Sequence, residues 1–305
     1  MVRTLFFELN LKKIMKKQIT YLSIFLISLT TLQGQIVQER LPGAEEISNR
    51  RTSFNLDEIK VRWKKAALEN CTGVPCVVAP SFTCGTSTVS DIDGNAYNTV
   101  LIGTQCWTKS NLKVTKYNDG TLIPDLTAST SNPWAPAGAR TGYNGGGVTL
   151  SDYVGTFGYL YNWYAVNDSR KLCPDGWHVP TDAEWTNLIR IYDPGASASV
   201  AGAQSTTAGA VLKSNVTNTS AGVGLGWNPG NPGTNTSGFS ALPGGYRTDS
   251  GSFGGVRGGA FLWSATENSL ISNSAWYRDL GNGWTGVGRG FFTKSFGASV
   301  RCLKD

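Results

Sequence analysis

The sequence predicts an α+β chain in which short strands outnumber helices. Three observations point there. Glycine supplies 37 of 305 residues, with 10 Trp, 11 Tyr and 12 Phe among them, while charged residues make up only 16%. That mixture belongs to short strands joined by many turns. Asp-Gly pairs between apolar-alternating arms mark hairpins. A capping box ahead of an apolar stripe at helical spacing marks a helix.

The chain opens with a leader. "MKKQITYLSIFLISLTTLQGQ", from Met15, has Lys16 and Lys17, an apolar run to Leu32, and small or neutral residues before Gln35. This is the layout of a secretory signal cleaved after Gly34. The run is shorter than the ~20 apolar residues of a membrane span. Residues 1–34 are therefore expected to be a signal peptide, with Met15 as the alternative start. The mature protein is not expected to be an integral membrane protein. No cysteine follows the apolar run, so no lipid anchor is expected. The net charge of +6 comes largely from this leader, because the remaining chain holds 22 basic against 20 acidic residues. No basic patch interleaved with aromatics stands out, so no nucleic-acid partner is expected.

Residues 35–86 read as a linker with one helix and a cysteine-containing connector. In "SFNLDEIKVRWKKAALENC", Phe54, Ile59, Trp63, Ala66 and Ala67 form a loose apolar stripe, with Ser53 or Asn55 as cap. "CTGVPCVVAPSFTCG" follows, and Cys71 and Cys76 are near enough to close a small loop. Six cysteines in an exported chain suggest disulfides, although spacing alone leaves fifteen pairings open. A zinc site of Cys71, Cys76, Cys84 and Cys106 lacks the short paired spacing such sites use.

Residues 87–305 read as the main domain. "TVSDIDGNAYNTVLIG" is strand, tight turn, strand, with Asp93-Gly94 at the turn. "YNDGTL" carries a second Asp-Gly turn. "SDYVGTFGYLYNWYAVND" fits either period, and Phe157, Leu160, Tyr161 and Tyr164 favour a helix. In "CPDGWHVPTDAEW", Thr181 caps a helix with Glu184 three residues on. Trp185, Leu188, Ile189 and Tyr192 form its buried stripe. His178, the one histidine, stands in the extended lead-in. It is expected to be a packed imidazole with its ring nitrogens bonded to backbone. From "AGAVLKSN" onward the chain reads as short strands and glycine loops. "SGFSALPGGYR", "AFLWSATE", "SAWYRDLG" and "ASVRCLKD" are the strand candidates.

These motifs carry a family resemblance. "DIDGNAYNTVLIGTQCWTKSNLKVTKYNDGTLIP", "GYLYNWYAVND", "KLCPDGWHVPTDAEW", "SGFSALPGGYR", "LWSATE", "AWYRDL" and "SVRCLKD" stand in the order seen in the Fibrobacter succinogenes major paralogous domain (FISUMP) family, from Thr88 to Asp305. The resemblance implies an exported protein of Bacteroidota or Fibrobacterota. A fainter resemblance, to the C-type-lectin-like fold with its sulfatase-modifying-factor domains, rests on Gly158–Val166, His178–Trp185 and Ser299–Leu303. It implies an α+β, C-type-lectin-like domain with two helices, a twisted mostly antiparallel sheet and long glycine-rich loops. In that topology the last strand returns beside the early part of the domain. The implied disulfide is then Cys173–Cys302, leaving Cys84–Cys106 across the first hairpin and Cys71–Cys76 locally.

The resemblance brings no catalytic set with it. Formylglycine-generating relatives use a late cysteine pair, whereas here only Cys302 follows Cys173. The Glu-Pro-Asn, Gln-Pro-Asp and Trp-Asn-Asp tripeptides of calcium-dependent lectins are absent. "DIDGN" lacks the further ligands of an EF-hand and reads as a turn. Ser264 and Thr266 in "WSATE" lack the G-x-S-x-G elbow. Glu267 and Asp279 would serve a glycosidase only if about 5–10 Å apart across a cleft. No catalytic residue, metal or cofactor is expected. The expected function is an exported, non-enzymatic binding or surface module of the bacterial cell envelope, in periplasm, at the surface or outside. Its partner would be a glycan or an envelope protein. The alternatives are a hydrolase-like enzyme acting on glycans and a purely structural component. Trp134, Trp227 and Trp284, in Pro/Gly/Asn-rich contexts, are the candidate ligand contacts, since exposed aromatics stack on sugars or anchor partners. Trp107, Trp163, Trp177, Trp185, Trp263 and Trp276 are expected in the core.

Overall fold

Asp91 organises the first hairpin. Its Oδ1 accepts from the backbone nitrogens of Asp93 (3.0 Å) and Asn95 (2.9 Å), and its Oδ2 from the Tyr97 hydroxyl at 2.6 Å. Gly94 takes the left-handed position of the turn at φ 83°. The strands on either side, β1 (Thr88–Ser90) and β2 (Ala96–Ile102), pair antiparallel as expected. These features come from a computed structural model, which describes residues 81–128, 137–143, 149–197, 199, 201–217, 225–230 and 232–305. The leader, the helix expected at 53–70, the Cys71–Cys76 pair and Trp134 lie outside the described residues.

Among the described residues, fourteen strands form two sheets. In the smaller, β1 and β2 continue through β3 (Gln105–Thr108) and β14 (Leu303–Lys304) to β6 (Trp177–His178). The larger runs β4 (Arg140–Thr141), β5 (Leu160–Asn162), β13 (Gly297–Ala298), β8 (Gly244–Arg247), β10 (Gly259–Glu267), β11 (Ser274–Gly281), β12 (Val287–Thr293), β7 (Gly202–Ser205). β9 (Phe253–Val256) pairs with β8. Among these strand pairings only β8–β10 is parallel. Four helices, where two were expected, join them: α1 (Leu150–Phe157), α2 (Trp163–Val166), α3 (Asp182–Arg190) and α4 (Ala208–Leu212). The domain is α+β with the strands dominant.

Two local expectations change. The stretch expected as one helix divides into α1, β5 and α2. Gly158 ends α1 at φ 74°, where a Cβ would lie 2.4 Å from the Leu112 carbonyl oxygen. Asn162 then starts α2, its side chain accepting from the Ala165 nitrogen at 3.0 Å. The "AGAVL" segment, expected as strand or loop, is α4. By contrast α3 forms as its sequence specifies. The Thr181 hydroxyl accepts from the Glu184 nitrogen at 3.3 Å, and the Glu184 carboxylate accepts from the Thr181 nitrogen at 2.8 Å.

Trp185, Leu188 and Ile189 of α3 pack with Trp107, Phe239, Leu262 and Leu280 in one apolar cluster. A second gathers Tyr97, Tyr161, Trp163, Trp177 and Trp263 around Cys173 and Cys302. Each such side chain contributes about 1.5–3 kcal/mol on burial. Trp227 belongs to the first cluster, fully buried, its indole nitrogen donating to the Ala241 carbonyl at 3.2 Å. It is therefore core and not a ligand contact. Its ring is buried in that cluster despite the glycine- and proline-rich sequence around it. Cys84 bonds Cys106, and Cys173 bonds Cys302 across 129 residues. The second bond ties the lead-in of α3 to the end of the chain. Between the sheets Arg301 is wholly buried and donates to Asn111, Thr108, Phe239 and Ser240. Burial pushes its guanidinium down to about 9.

Candidate functional site

The site grows from the register of β10, β11 and β12. Phe261 stands opposite Asp279, and Asp279 opposite Gly288. Tyr277 stands opposite Gly290 and Ala275 opposite Phe292. Because side chains alternate, Ala275, Tyr277, Asp279 and Gly281 share one face of β11. Trp276, Arg278 and Leu280 share the other, against α3.

On the first face, side chains lie down over glycines of the next strand. The Tyr277 ring lies over Gly290, where a Cβ would come within 2.6 Å of it. The Asp279 carboxylate lies over Gly288, where a Cβ would be 2.1 Å from Oδ1. The Trp284 indole, from the β11–β12 connection, lies across Gly281 and Gly286 at Cβ separations of 2.9 and 2.2 Å. Phe292, Tyr277, Asp279 and Trp284 thus form a row. Tyr277 stacks on Phe292 at 3.9 Å and 12°, and Phe292 on Phe296 at 3.6 Å. Successive same-face positions are about 7 Å apart, so a carboxylate stands between two aromatic rings roughly 13 Å apart. Phe261 lies beside it on β10.

All of these row side chains are half-buried. Among the described residues, no hydrogen-bond partner reaches the Asp279 carboxylate, the Tyr277 hydroxyl or the Trp284 indole nitrogen. Burial pushes the Asp279 carboxyl up, against a smaller downward pull from Arg278, its neighbour on the opposite face. Burial, followed by the charge of Asp279, pushes the Tyr277 hydroxyl up. Half-exposed aromatic rings beside a carboxyl shifted by burial make this face the candidate site. Trp284 and Asp279 stood out in the sequence. Tyr277 and Phe261 did not, although the alternation in "SAWYRDLG" puts a tyrosine and a carboxylate on one face.

The opposite face is held by ion pairs. Asp182, first residue of α3, accepts from Arg278 Nη1 at 2.8 Å and Arg289 Nη2 at 2.9 Å. Burial raises the Asp182 carboxyl, but the two guanidinium groups outweigh it and hold the carboxyl below its usual range. Arg289 also covers one face of Trp276 at 3.5 Å. Trp276, expected in the core, is half-exposed there, because its strand runs past the N-terminus of α3.

His178 differs from expectation. Its ring nitrogens meet carboxylates, not backbone: Nε2 lies 3.0 Å from Glu184 Oε1 and Nδ1 2.5 Å from Asp305 Oδ1. Both carboxylates only accept, so both bonds form when both nitrogens carry hydrogen. Burial raises the Glu184 carboxyl, yet bonds from Thr181 and the imidazole bring it below its usual range. The group ties the start of α3 to the last residue. His178 also lines a cleft of about 150 Å³ with Val166, Cys173, Trp177 and Val179. Ser264 is fully buried, and Thr266 Oγ1 accepts from the Asp182 nitrogen at 3.0 Å. Glu267 pairs with Lys294. It stands opposite Ala275, about 13 Å along β11 from Asp279, so these two carboxylates are not brought together.

The fold and site define an α+β domain of largely antiparallel sheets bearing one half-exposed aromatic sheet face. The model of the Fibrobacter succinogenes major domain matches residues 100–304, which include that face. The chain belongs to this family. Nothing matches among curated proteins or among solved structures. Among the described residues no helix is long and apolar enough to cross a membrane.

Proposed function

We propose that this protein is an exported, non-enzymatic binding module of the bacterial cell envelope that takes a glycan on the row Tyr277, Asp279 and Trp284. One observation carries the reading: two half-exposed rings flank a carboxylate, and all three have polar atoms left unbonded. A pyranose offers an apolar face to stack on the rings, with hydroxyls that donate to the carboxylate and accept from the indole. Export rests on the leader at residues 1–34 and agrees with the two disulfides. The architecture is read as C-type-lectin-like, on the return of the last strand beside the lead-in of α3. A hydrolase reading has no paired carboxylates at this face to draw on.

A glycan array probed with the purified chain tests the proposal. Tyr277→Ala and Trp284→Ala, assayed below the melting temperature of each variant, should each weaken array binding about tenfold, equivalent to about 1.4 kcal/mol. A silent array, or full binding by both variants, would refute the glycan reading. Capture of an envelope protein through the same residues would replace it with a protein partner.

A further inference from the structure

We infer that the row selects a cationic glycan, an amino sugar whose ammonium group sits against Asp279 between the rings of Tyr277 and Trp284. The inference rests on the glycan reading and adds the charge of the ligand. Charge complementarity carries it. Asp279 lies half-buried over Gly288 with no donor bonded to it and no lysine or arginine on its own face in contact with it. The arginines of these strands, Arg278 and Arg289, are turned to the other face and share Asp182. Lys213 reaches the same loop but donates to the carbonyl oxygens of Gly281 and Trp284 at 2.9 and 2.7 Å. A carboxylate removed from water without a countercharge is costly to keep ionised. A ligand cation supplies that countercharge, and the π-faces of tyrosine and tryptophan attract the same cation. Neutral sugars offer Asp279 only a hydroxyl. Uronic and sialic acids would set one anion against another.

Gly288 and Gly290 carry no side chains beneath Asp279 and Tyr277. Among the described residues no lysine or arginine on this face pairs with Asp279.

Isothermal titration calorimetry on the full chain with two probes of identical ring chemistry tests this. One is the glucosamine hexamer, in slightly acidic buffer so that its amines are protonated. The other is the N-acetylglucosamine hexamer, which is uncharged. The glucosamine hexamer should bind about tenfold tighter, in the range of a charge-assisted contact. Asp279→Asn, which keeps shape and removes charge, should erase the preference, so that the variant binds the two probes with affinities within about twofold of each other. Equal affinity of the wild type for both probes, or a preference surviving in Asp279→Asn, overturns the inference. Should the acetylated probe bind through Tyr277 and Trp284 with no gain from the amine, the glycan reading stands and only the charge selectivity falls. Failure of both probes to bind overturns the two together.

Discussion

The two faces of β11 are built from alternate residues of one eight-residue strand, yet they treat polar groups in opposite ways. On the α3 side, Arg278 and the neighbouring Arg289 converge on Asp182, and the carboxyl is held down by its partners. On the other side, Asp279 has aromatic rings for neighbours, and burial pushes its carboxyl up. The first face spends its charges on holding a helix. The second leaves a carboxylate, a phenol and an indole nitrogen without partners. The second set is the one the proposed glycan would use.

The largest expected effect breaks the ion-paired face. Asp182→Ala leaves two buried guanidinium groups without a carboxylate and should cost about 3–5 kcal/mol in urea unfolding. A loss below about 1 kcal/mol would show that the pairing does not hold α3 on the sheet. The sign with pH follows from the lowered carboxyl. Its contribution is present above the unfolded value of 3.8 and is lost as pH falls through the folded value. Melting temperature of the wild type should therefore drop in acid more steeply than that of Asp182→Asn.

A smaller effect is expected at the entry to the same helix. His178→Gln removes the ring contacts to Glu184 and Asp305 at a side chain one-third exposed, so it should cost about 1 kcal/mol. Ligand affinity should be unchanged, since His178 stands on the smaller sheet. Loss of binding at an unchanged melting temperature would move the functional site to the cleft beside His178.

The smallest effect has the opposite sign. Asp279→Asn removes a desolvated carboxylate that lacks a partner, and should stabilise the protein by up to about 1 kcal/mol near neutral pH. A raised carboxyl contributes stability below the unfolded value of 3.8 that is lost as pH rises through the folded value. Its gain over the wild type should hence grow with pH and vanish in acid, the mirror of the Asp182 behaviour. Destabilisation by Asp279→Asn in thermal melts at neutral pH would mean that the carboxylate has a structural partner, and the contrast between the faces would fail.

Some of this was legible in the residues. Asp91 and Gly94 announce their turn because the bonds that make it span four residues or fewer. Thr181 and Glu184 announce α3 for the same reason. The period of "GYLYNWY" was ambiguous because aromatics suit strands and buried helices alike. Only the close approach of Leu112 to Gly158 divides it. Trp227 and Trp284 lie in equally glycine-rich surroundings, and sequence could not separate them. One folds under a loop into a cluster with Trp185, and the other lies half-exposed on a sheet face.

By itself, then, the sequence determined the strand-rich α+β class, the first hairpin, the cap of α3 and the family. All of these depend on neighbours a few residues apart or on motif order. Tertiary structure decided which atoms meet across the chain. His178 finds Asp305 at a separation of 127 residues, and Cys173 finds Cys302 at 129. The pairing of β11 with β12 decides that Asp279 lies over Gly288 beside Tyr277 and Trp284. A slip of one residue in that register would turn the carboxylate to the α3 side and the arginines to solvent.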